Sequence, residues 1–347
     1  MTTSREIRLA RRPEPGSDAT VECFDIVDVT LPEPADGEVV VENHFFSVDP
    51  YMRGRMNDVR SYVPPFAVGE PLQGGAVGVV VASRDPKLPE GTVVLSMFGW
   101  RERYVAPGSA LQPLPPPPPG VSPSAYLGVL GVPGFTAWIG VTLIAPVADG
   151  DVVFVSAAAG AVGSIAGQLA PLRGASLVIG SAGSPAKVAS LTDEFGYDAG
   201  FSHRDGKPGD HLARLAPKGV DVYFDNVGGE QLRAAIDAMR AFGRIALCGS
   251  ISTGYHGGAG TAIDNLGLAV GKRLTLRGFI VSDHFDQQPE FLAEVGGLLA
   301  EGKIATRETV HESLDSAPDA FLGLFAGGDQ IGKVVISCGG TGRPAGR

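Results

Sequence analysis

The sequence predicts an α/β protein in which a doubly wound parallel sheet is flanked by β-rich segments. From about Val152 to Phe279, short apolar runs alternate with segments whose apolar residues recur at helical spacing, the pattern of βαβ units. A glycine-rich turn follows the first of these runs. Upstream, β-rich runs are separated by turn residues such as Pro-Ala-Asp-Gly at 34–37. The parallel sheet is therefore expected in the second half of the chain.

Length and composition agree with two globular domains. The chain has 347 residues, and 44% hydrophobic with 19% charged residues argues against extended disorder. Its net charge of −10 repels nucleic acid and anionic lipid, and no local basic patch offsets it. We therefore expect neither nucleic acid nor a membrane surface as a partner.

The sequence also predicts a cytoplasmic protein. Met1–Pro13 is rich in arginine and has no apolar core of the kind that a secretory signal needs. Two uncharged stretches, 112–148 and 152–172, are long enough for a membrane span, but proline and glycine interrupt them, which favours buried core. The cysteines form no CxxC pair, which suits a reducing compartment and supplies no structural zinc site: Cys23, Cys248 and Cys338.

The elements of the parallel-sheet domain are predicted in order from these patterns. The strands are Val152–Ser156, Ser176–Gly180, Val220–Phe224, Arg244–Cys248 and Leu274–Phe279. The helices between them are Ala161–Leu172, Pro185–Phe195, Glu230–Arg240 and a weaker segment at 262–270.

The flanking segments predict a partly open barrel or sandwich. Its upstream strands are Val39–Phe46, Val77–Ala82 and Thr92–Leu95. Pro115–Pro119 is predicted to be a stiff spacer between barrel and sheet, or alternatively a surface ligand for a proline-binding module. After Pro289 we expect a helix, then an alternating segment, a helix and a strand that return to the first domain: Glu308–Leu314, Ala317–Ala326 and Lys333–Ser337.

Residues 153–163 predict a strand, a glycine-rich turn and the start of a helix. Free amide groups and the positive helix end would meet a pyrophosphate there, while Gly160 and Gly163 permit close backbone approach and helix–sheet packing. Ala158 replaces the first glycine of the usual GxGxxG pattern, so a plain tight turn is the alternative. The position at the start of a βαβ series favours a dinucleotide site.

The end of the second predicted strand favours NADP(H) over NAD(H). Residues 181–187 contain no carboxylate to hold a ribose 2′-hydroxyl, whereas Ser181, Ser184 and Lys187 offer donors to a 2′-phosphate. The alternative for Lys187 is an ordinary exposed helical residue. The turn 225–229, with Asn226, lies at the same predicted carboxyl edge. No histidine spacing predicts a metal hydrolase, and no nucleophile elbow predicts acyl chemistry.

Five motifs in order resemble one family: Asn43–Met56, Gly131–Trp138, Ser156–Gly163, Phe224–Gly229 and Gly243–Ser252. They resemble the zinc-independent medium-chain dehydrogenases/reductases, in the branch of prostaglandin reductases, plant alkenal double-bond reductases and bacterial curcumin reductases. The resemblance implies a GroES-like barrel at 1–129 and 308–347, a Rossmann domain at 130–307, and a homodimer. It implies no catalytic metal, because Ser47 and Val68-Gly69-Glu70 stand where zinc-dependent relatives carry ligands.

The resemblance also implies NADP(H) contacts at residues along the sheet edge. They are Ala161, Val162, Gly163 and Ser164 at the pyrophosphate, Lys187 and His203 at the 2′-phosphate, and Asn226, Cys248, Gly249, Ser250, Ile251, Ser252, Phe279, Ile280, Val281 and Gln330 along the rest of the cofactor. Three motifs depart from the family pattern. His203 and Arg204 replace a Tyr-Lys pair, Gln330 replaces an asparagine, and Tyr255 is displaced by one residue from the family tyrosine.

The resemblance implies NADPH-dependent reduction of the carbon–carbon double bond of an α,β-unsaturated aldehyde or ketone. Hydride would add to the β-carbon and the enolate would then be protonated, with Tyr255 or the cofactor ribose hydroxyl as donor to the carbonyl oxygen. Tyr51 is expected to line the substrate cleft, or else to pack as a buried interface residue. The alternatives are a quinone reductase, an enoyl reductase of one biosynthetic pathway, and a protein that binds NADPH without turnover.

Overall fold

A computed structural model describes residues 2–252 and 262–339. Its strands are β1 (Thr2–Leu9), β2 (Phe24–Leu31), β3 (Glu38–Ser47), β4 (Ala76–Ser83), β5 (Val93–Ser96), β6 (Arg103–Pro107), β7 (Gln112–Pro113), β8 (Val152–Val155), β9 (Leu177–Ala182), β10 (Ala199–Ser202), β11 (Val220–Asp225), β12 (Met239–Leu247), β13 (Thr275–Gly278), β14 (Glu308–Glu312) and β15 (Lys333–Ser337).

The helices follow the same order along the chain. They are α1 (Tyr51–Arg55), α2 (Val132–Ile139), α3 (Gly163–Leu172), α4 (Pro185–Asp193), α5 (Pro208–Leu215), α6 (Gly229–Ala238), α7 (Leu268–Lys272), α8 (Gln288–Ala300) and α9 (Ala317–Ala326). A π-helical turn, Gly140–Ile144, directly follows α2.

The chain divides into two compact units. The first comprises residues 1–127, 308–326 and 334–347, and the second comprises 128–307 and 327–333. The segment 327–333 thus belongs with the second unit, whereas the sequence analysis assigned it to the first domain. The predicted proline spacer lies within the first unit, where Tyr126 Oη donates a hydrogen bond to the Pro115 carbonyl (3.0 Å).

The first unit is built on antiparallel pairing. Its larger sheet has the order β14-β15-β3-β4-β5-β7, with β6 also paired to β3, and β1 pairs with β2 in a separate ribbon. Alternating apolar residues of these strands form a core around Phe46 and Trp100, against which α9 packs Phe321. This confirms the predicted GroES-like β-rich domain, including the return of the C-terminal strand.

The second unit is a six-stranded parallel sheet in the order β10-β9-β8-β11-β12-β13. Strands such as β8, Val-Val-Phe-Val, are buried along their whole length because helices cover both faces of such a sheet. The order starts from β8 and runs outward in both directions, which confirms the predicted doubly wound fold. The structure adds β10, α5 and α2, which the sequence analysis did not predict, and it extends the second predicted strand through Ala182.

Candidate functional site

The sheet order of the second unit brings most of the predicted cofactor residues to one edge. Strands β9, β8, β11, β12 and β13 are parallel neighbours, so the turns after their carboxyl ends are adjacent. Those turns, with the starts of α3 and α4, carry the predicted cofactor residues from Ala161 to Val281 except His203, which follows β10. This is the edge where ligands bind in open α/β sheets.

The glycine-rich turn after β8 leaves amide donors available. Its first residues depart from regular structure at Ala157, which has a φ of 47°. In the described part of the chain, the N–H groups of Ala161, Val162 and Gly163 make no hydrogen bond. A Cβ added to Gly160 would meet only the Ala157 carbonyl, at 3.2 Å. These donors at the amino end of α3 fit the pyrophosphate of a dinucleotide.

The segment 327–333 lies beside this turn. Gly332 N–H donates to the Ala159 carbonyl (2.8 Å), and Gly332 pairs with Gly160 as a single bridge. Gln330, half-buried, is carried by this segment. Ser164, like Gly163, is buried in the first turn of α3, and its carbonyl accepts from Gln168 Nε2 (2.8 Å).

Three basic side chains gather where β9 and β10 end. Ser202 is in register with Ala182, so the residues that follow, His203 and Gly183, are neighbours. The imidazole lies next to Gly183, because a Cβ added there would be 3.3 Å from its Cε1. Lys187 in α4 and Arg204 complete the cluster, since each contributes to the pKa of the His203 ring. A cluster of this kind, without an acidic residue at the strand end, fits a phosphate on the adenosine ribose.

Arg204, which replaces a family lysine, has a definite support in the structure. A Cβ added to Gly327, which has a φ of 74°, would lie 1.9 Å from Arg204 Nη2. The guanidinium therefore rests on the backbone of the segment 327–333. A larger residue at 327 would both strain the backbone and displace the guanidinium.

Asp225, at the end of β11, organises the other half of the edge. Its Oδ1 accepts hydrogen bonds from Tyr223 Oη (2.7 Å), Val227 N–H (2.9 Å) and Gly228 N–H (2.8 Å). Burial raises the pKa of this carboxyl, and the hydrogen bonds oppose that rise. In this turn the sequence alone pointed to Asn226 and not to Asp225. A lone acidic residue at the end of a buried run was the signal for Asp225.

The turn after β12 is tied to the turn after β11 through backbone bonds. The Asp225 carbonyl accepts from Cys248 N–H (2.9 Å) and Gly249 N–H (3.0 Å). Ser252 Oγ donates to the Val227 carbonyl (2.6 Å). Burial raises the pKa of the Cys248 thiol to about 12, and the charge of Asp225 adds to this, so the thiol is neutral at physiological pH. Cys248 therefore contributes shape rather than nucleophilicity.

Asn226 is fixed by a serine that the sequence analysis did not single out. Its Nδ2 donates to the Ser156 carbonyl (2.8 Å), and its N–H donates to Ser156 Oγ (2.9 Å). Beyond it, Phe279, Ile280 and Val281 follow β13 and are all half-buried, which leaves part of each side chain accessible to a ligand.

Of the two predicted catalytic tyrosines, the structure describes Tyr51. It begins α1 in the first unit, and its phenol interacts with the guanidinium of Arg55. Burial raises the pKa of Tyr51 above its ordinary value, so the phenol keeps its proton at physiological pH. Arg55 is itself fixed by donating to the Pro64 carbonyl (2.9 Å) and Gln73 Oε1 (2.9 Å). Tyr255 lies outside the described residues.

Within residues 2–252 and 262–339, no group of three or more His, Cys, Asp or Glu side chains is placed to hold a metal ion. The same residues include no helix that is both long and apolar enough to cross a bilayer.

Comparisons with known proteins cover both units. Residues 5–114 match the family model described as the N-terminal domain of oxidoreductase, and residues 161–296 match the model described as zinc-binding dehydrogenase. The chain is 40% identical to the NADP(+)-dependent 2-alkenal reductase of Nicotiana tabacum, over 89% of this chain and 90% of that protein. It is 36% identical to the NADPH-dependent curcumin reductase of Escherichia coli, over 92% and 93% of the two chains.

A solved structure agrees with the same relationship. CurA from Vibrio vulnificus in complex with NADPH has 37% sequence identity to this chain and a TM-score of 0.89, over 98% of this chain and 100% of that chain. Identity and coverage at this level extend the likeness beyond a shared fold.

Proposed function

We infer the function of this chain from its family, because it belongs to the zinc-independent branch of the medium-chain dehydrogenases/reductases, alongside the alkenal, curcumin and prostaglandin reductases. We propose that it is an NADPH-dependent reductase of the carbon–carbon double bond in α,β-unsaturated aldehydes and ketones. The observation that carries the proposal is the cationic cluster of Lys187, His203 and Arg204 on the same sheet edge as the available amides of the glycine-rich turn.

The chain's residues are proposed to bind and orient the cofactor. The amides of Ala161, Val162 and Gly163 would hold the pyrophosphate, while Lys187 would hold the 2′-phosphate. The turns fixed by Asp225 would determine where the nicotinamide end lies. NADPH supplies, when bound, the hydride that adds to the β-carbon of the substrate. Fixing both ends of the cofactor supports the reaction by orientation, which is the main requirement of a hydride transfer.

Charge then develops on the carbonyl oxygen of the substrate, and the protein must offer a donor to it. Tyr51 is one candidate: when Arg55 donates to its phenol oxygen, the phenol proton is left for another acceptor. Tyr255 is the other. Protonation of the enolate at the α-carbon needs no residue of perturbed pKa, because water can supply that proton.

The function is tested by measuring NADPH and NADH oxidation by the purified protein with a panel of alkenals, enones and quinones, and by identifying the products. We expect a saturated carbonyl product with NADPH strongly preferred. Turnover with quinones alone would favour a quinone reductase. NADPH binding without turnover of any of these acceptors would contradict the proposal and favour either a pathway-specific enoyl reductase or a binding protein.

Replacing the donor tyrosines tests the catalytic roles. We expect Tyr51→Phe or Tyr255→Phe to lower kcat by about 10²-fold if that phenol is the principal donor to the oxygen. Tyr104→Phe is the matched control: Tyr104 is buried in a separate core of the first unit and bonds Ser96 Oγ (2.9 Å), so its loss is expected to affect stability and not kcat. If neither phenol variant lowers kcat, both roles are wrong.

We also propose that the chain forms a homodimer through the outer edge of β13. Among the described strands, β13 is one of the two end strands of its sheet, β10 being the other, and antiparallel pairing with its copy would give the unpaired backbone groups of both chains hydrogen-bond partners. Large apolar side chains are exposed in the neighbouring segments: Val270 is 81% exposed and Phe242 is 68% exposed.

Light scattering with size exclusion tests this interface. We expect twice the chain mass for the wild type, and a shift toward the single-chain mass for Val270→Asp. Val59→Asp is the control, because Val59 is a comparably exposed valine (63%) in the first unit. A wild-type monomer, or a Val270→Asp dimer as stable as the control, would contradict the proposed interface.

A further inference from the structure

His203 occupies a distinctive position in the cationic cluster. Its backbone N–H donates to the Ala182 carbonyl (3.1 Å), which fixes the residue at the carboxyl end of β10. The ring lies beside Gly183, with Nε2 3.9 Å from where a Cβ on that residue would be. Gly183 precedes Ser184, whose Oγ accepts from Lys187 N–H at the start of α4. The imidazole therefore lies beside the amino end of α4.

The charges around His203 come from three elements. Lys187 faces it from α4, and Arg204 follows it in the chain. Asp329, on the segment 327–333, acts on Lys187 and raises its pKa, but no ion pair joins the two within the described residues. Asp205, next along the chain, donates its N–H to the Ser202 carbonyl. The two cations outweigh the one acidic group that acts on the cluster.

These surroundings disfavour the protonated form of the His203 ring when no ligand is bound. Desolvation, then Arg204 and Lys187, lower the pKa of His203 below its ordinary value, and a hydrogen bond between the ring and the Ala182 backbone opposes them. Desolvation, with a smaller contribution from Arg204, also lowers the pKa of Lys187, and Asp329 opposes them. A ligand phosphate of charge about −1.5 to −2 would reverse the local balance of charge.

We propose that His203 is a specificity-determining residue for the phosphorylated cofactor, and that it binds the 2′-phosphate as an imidazolium after taking up one proton from solvent. The proposal rests on the proposed NADPH function. In this step a proton leaves hydronium or a buffer acid and bonds to the free ring nitrogen of the imidazole, no other covalent bond changes, and an N–H of the ring then donates to a phosphate oxygen. A tyrosine at this position would donate without titrating, so the linkage is specific to histidine.

The direction of the pH dependence follows from the proton count. Binding that takes up a proton is favoured at low pH, because the bound form holds more protons than the unbound form. NADPH affinity is therefore expected to fall as pH rises, by up to about tenfold per unit between the pKa of His203 in the unbound and bound states. NADH has no 2′-phosphate, so its affinity is expected to be independent of this proton.

Calorimetry measures the proton directly. NADPH and NADH are titrated into the full-length protein at pH 7 in buffers of different ionisation enthalpy, and the slope gives the protons taken up. His203→Gln is the central variant, since glutamine keeps a donor and cannot titrate. Lys187→Met removes the neighbouring cation, and His311→Gln on β14 is the histidine control in the first unit.

For the wild type and His311→Gln we expect uptake of roughly half a proton or more with NADPH and none with NADH. His203→Gln is expected to lose this uptake and to bind NADPH about tenfold more weakly, while its NADH affinity is unchanged. Equal uptake in the wild type and His203→Gln would overturn the proposal, because the proton would then be bound by a group other than His203.

A second measurement uses only the wild type, so it does not depend on whether His203→Gln folds. Proton NMR of the wild type follows the His203 ring with and without NADPH, and we expect its pKa to rise on binding. An unchanged pKa would overturn the proposal. If Lys187→Met and the wild type bind NADPH and NADH with the same ratio, the 2′-phosphate subsite itself is wrong. NADPH-linked uptake without turnover of any enone would support the proton linkage and contradict the reductase function instead.

Discussion

Gly163→Ala is expected to destabilise the second unit by about 3 kcal/mol and to weaken NADPH binding by tenfold or more. A Cβ at this position would lie 2.5 Å from the Ala157 carbonyl oxygen and 2.7 Å from the Ala158 Cα. Both neighbours are backbone atoms of the glycine-rich turn, so no side-chain rotation relieves the clash. The Gly163 carbonyl is also held by Tyr197 Oη (2.7 Å), which prevents the helix from moving away without losing a buried hydrogen bond.

Alanine variants of two other glycines distinguish an effect on packing from an effect on the approach of the ligand. Gly160→Ala introduces a Cβ that meets only the Ala157 carbonyl, so we expect near-wild-type stability but weaker NADPH binding if the pyrophosphate approaches that backbone. Gly296→Ala, in α8, meets nothing within 4 Å and is expected to stabilise the protein slightly. Denaturant unfolding and NADPH titration of the three variants check this. A Gly163→Ala protein as stable as Gly296→Ala would contradict the packing argument.

The sequence predicted the parallel sheet because its central strands are mostly apolar. Runs such as 152–155 and 220–224 leave little choice of structure once they are covered on both faces. Strand β10 was missed because Ala-Gly-Phe-Ser is short and contains only one large apolar residue. Its place in the sheet depends on pairing with β9, which is a tertiary contact that no local pattern encodes.

In the candidate site, as in the fold, local patterns were predictable and contacts between distant residues were not. The glycine-rich turn and Lys187 could be recognised from spacing and from the missing carboxylate at the end of β9. The supports of Arg204 and Asn226 could not, because Gly327 and Ser156 lie 123 and 70 positions away in the chain and meet them only through folding. Asp225 is intermediate: its position after a strand was visible, but its hydrogen-bond partners depend on the path of the turn.

Asp225→Ala is expected to cost about 3–5 kcal/mol of stability in the second unit. Removing the carboxylate leaves Val227 N–H and Gly228 N–H without their acceptor in a buried environment, while Tyr223 Oη keeps Ser156 Oγ (3.0 Å). The Asp225 carbonyl also accepts hydrogen bonds from the N–H groups of Cys248 and Gly249. The turns after β11 and β12 are therefore expected to become less ordered together, and NADPH affinity is expected to fall. Denaturant unfolding followed by NADPH titration of the remaining folded protein measures both effects.

Asp225→Asn separates the acceptor from the charge. The amide keeps an oxygen for the same three donors, and the Asp225 Oδ2 that it replaces has no hydrogen-bond partner within the described residues. We therefore expect it to cost much less than alanine at pH 7. Since burial raises the pKa of Asp225 above its unfolded value, ionisation of this group removes stability as pH rises through the folded pKa. The wild type should thus lose stability relative to Asp225→Asn as pH rises through that range, and a difference of the opposite sign would mean that the hydrogen bonds outweigh desolvation.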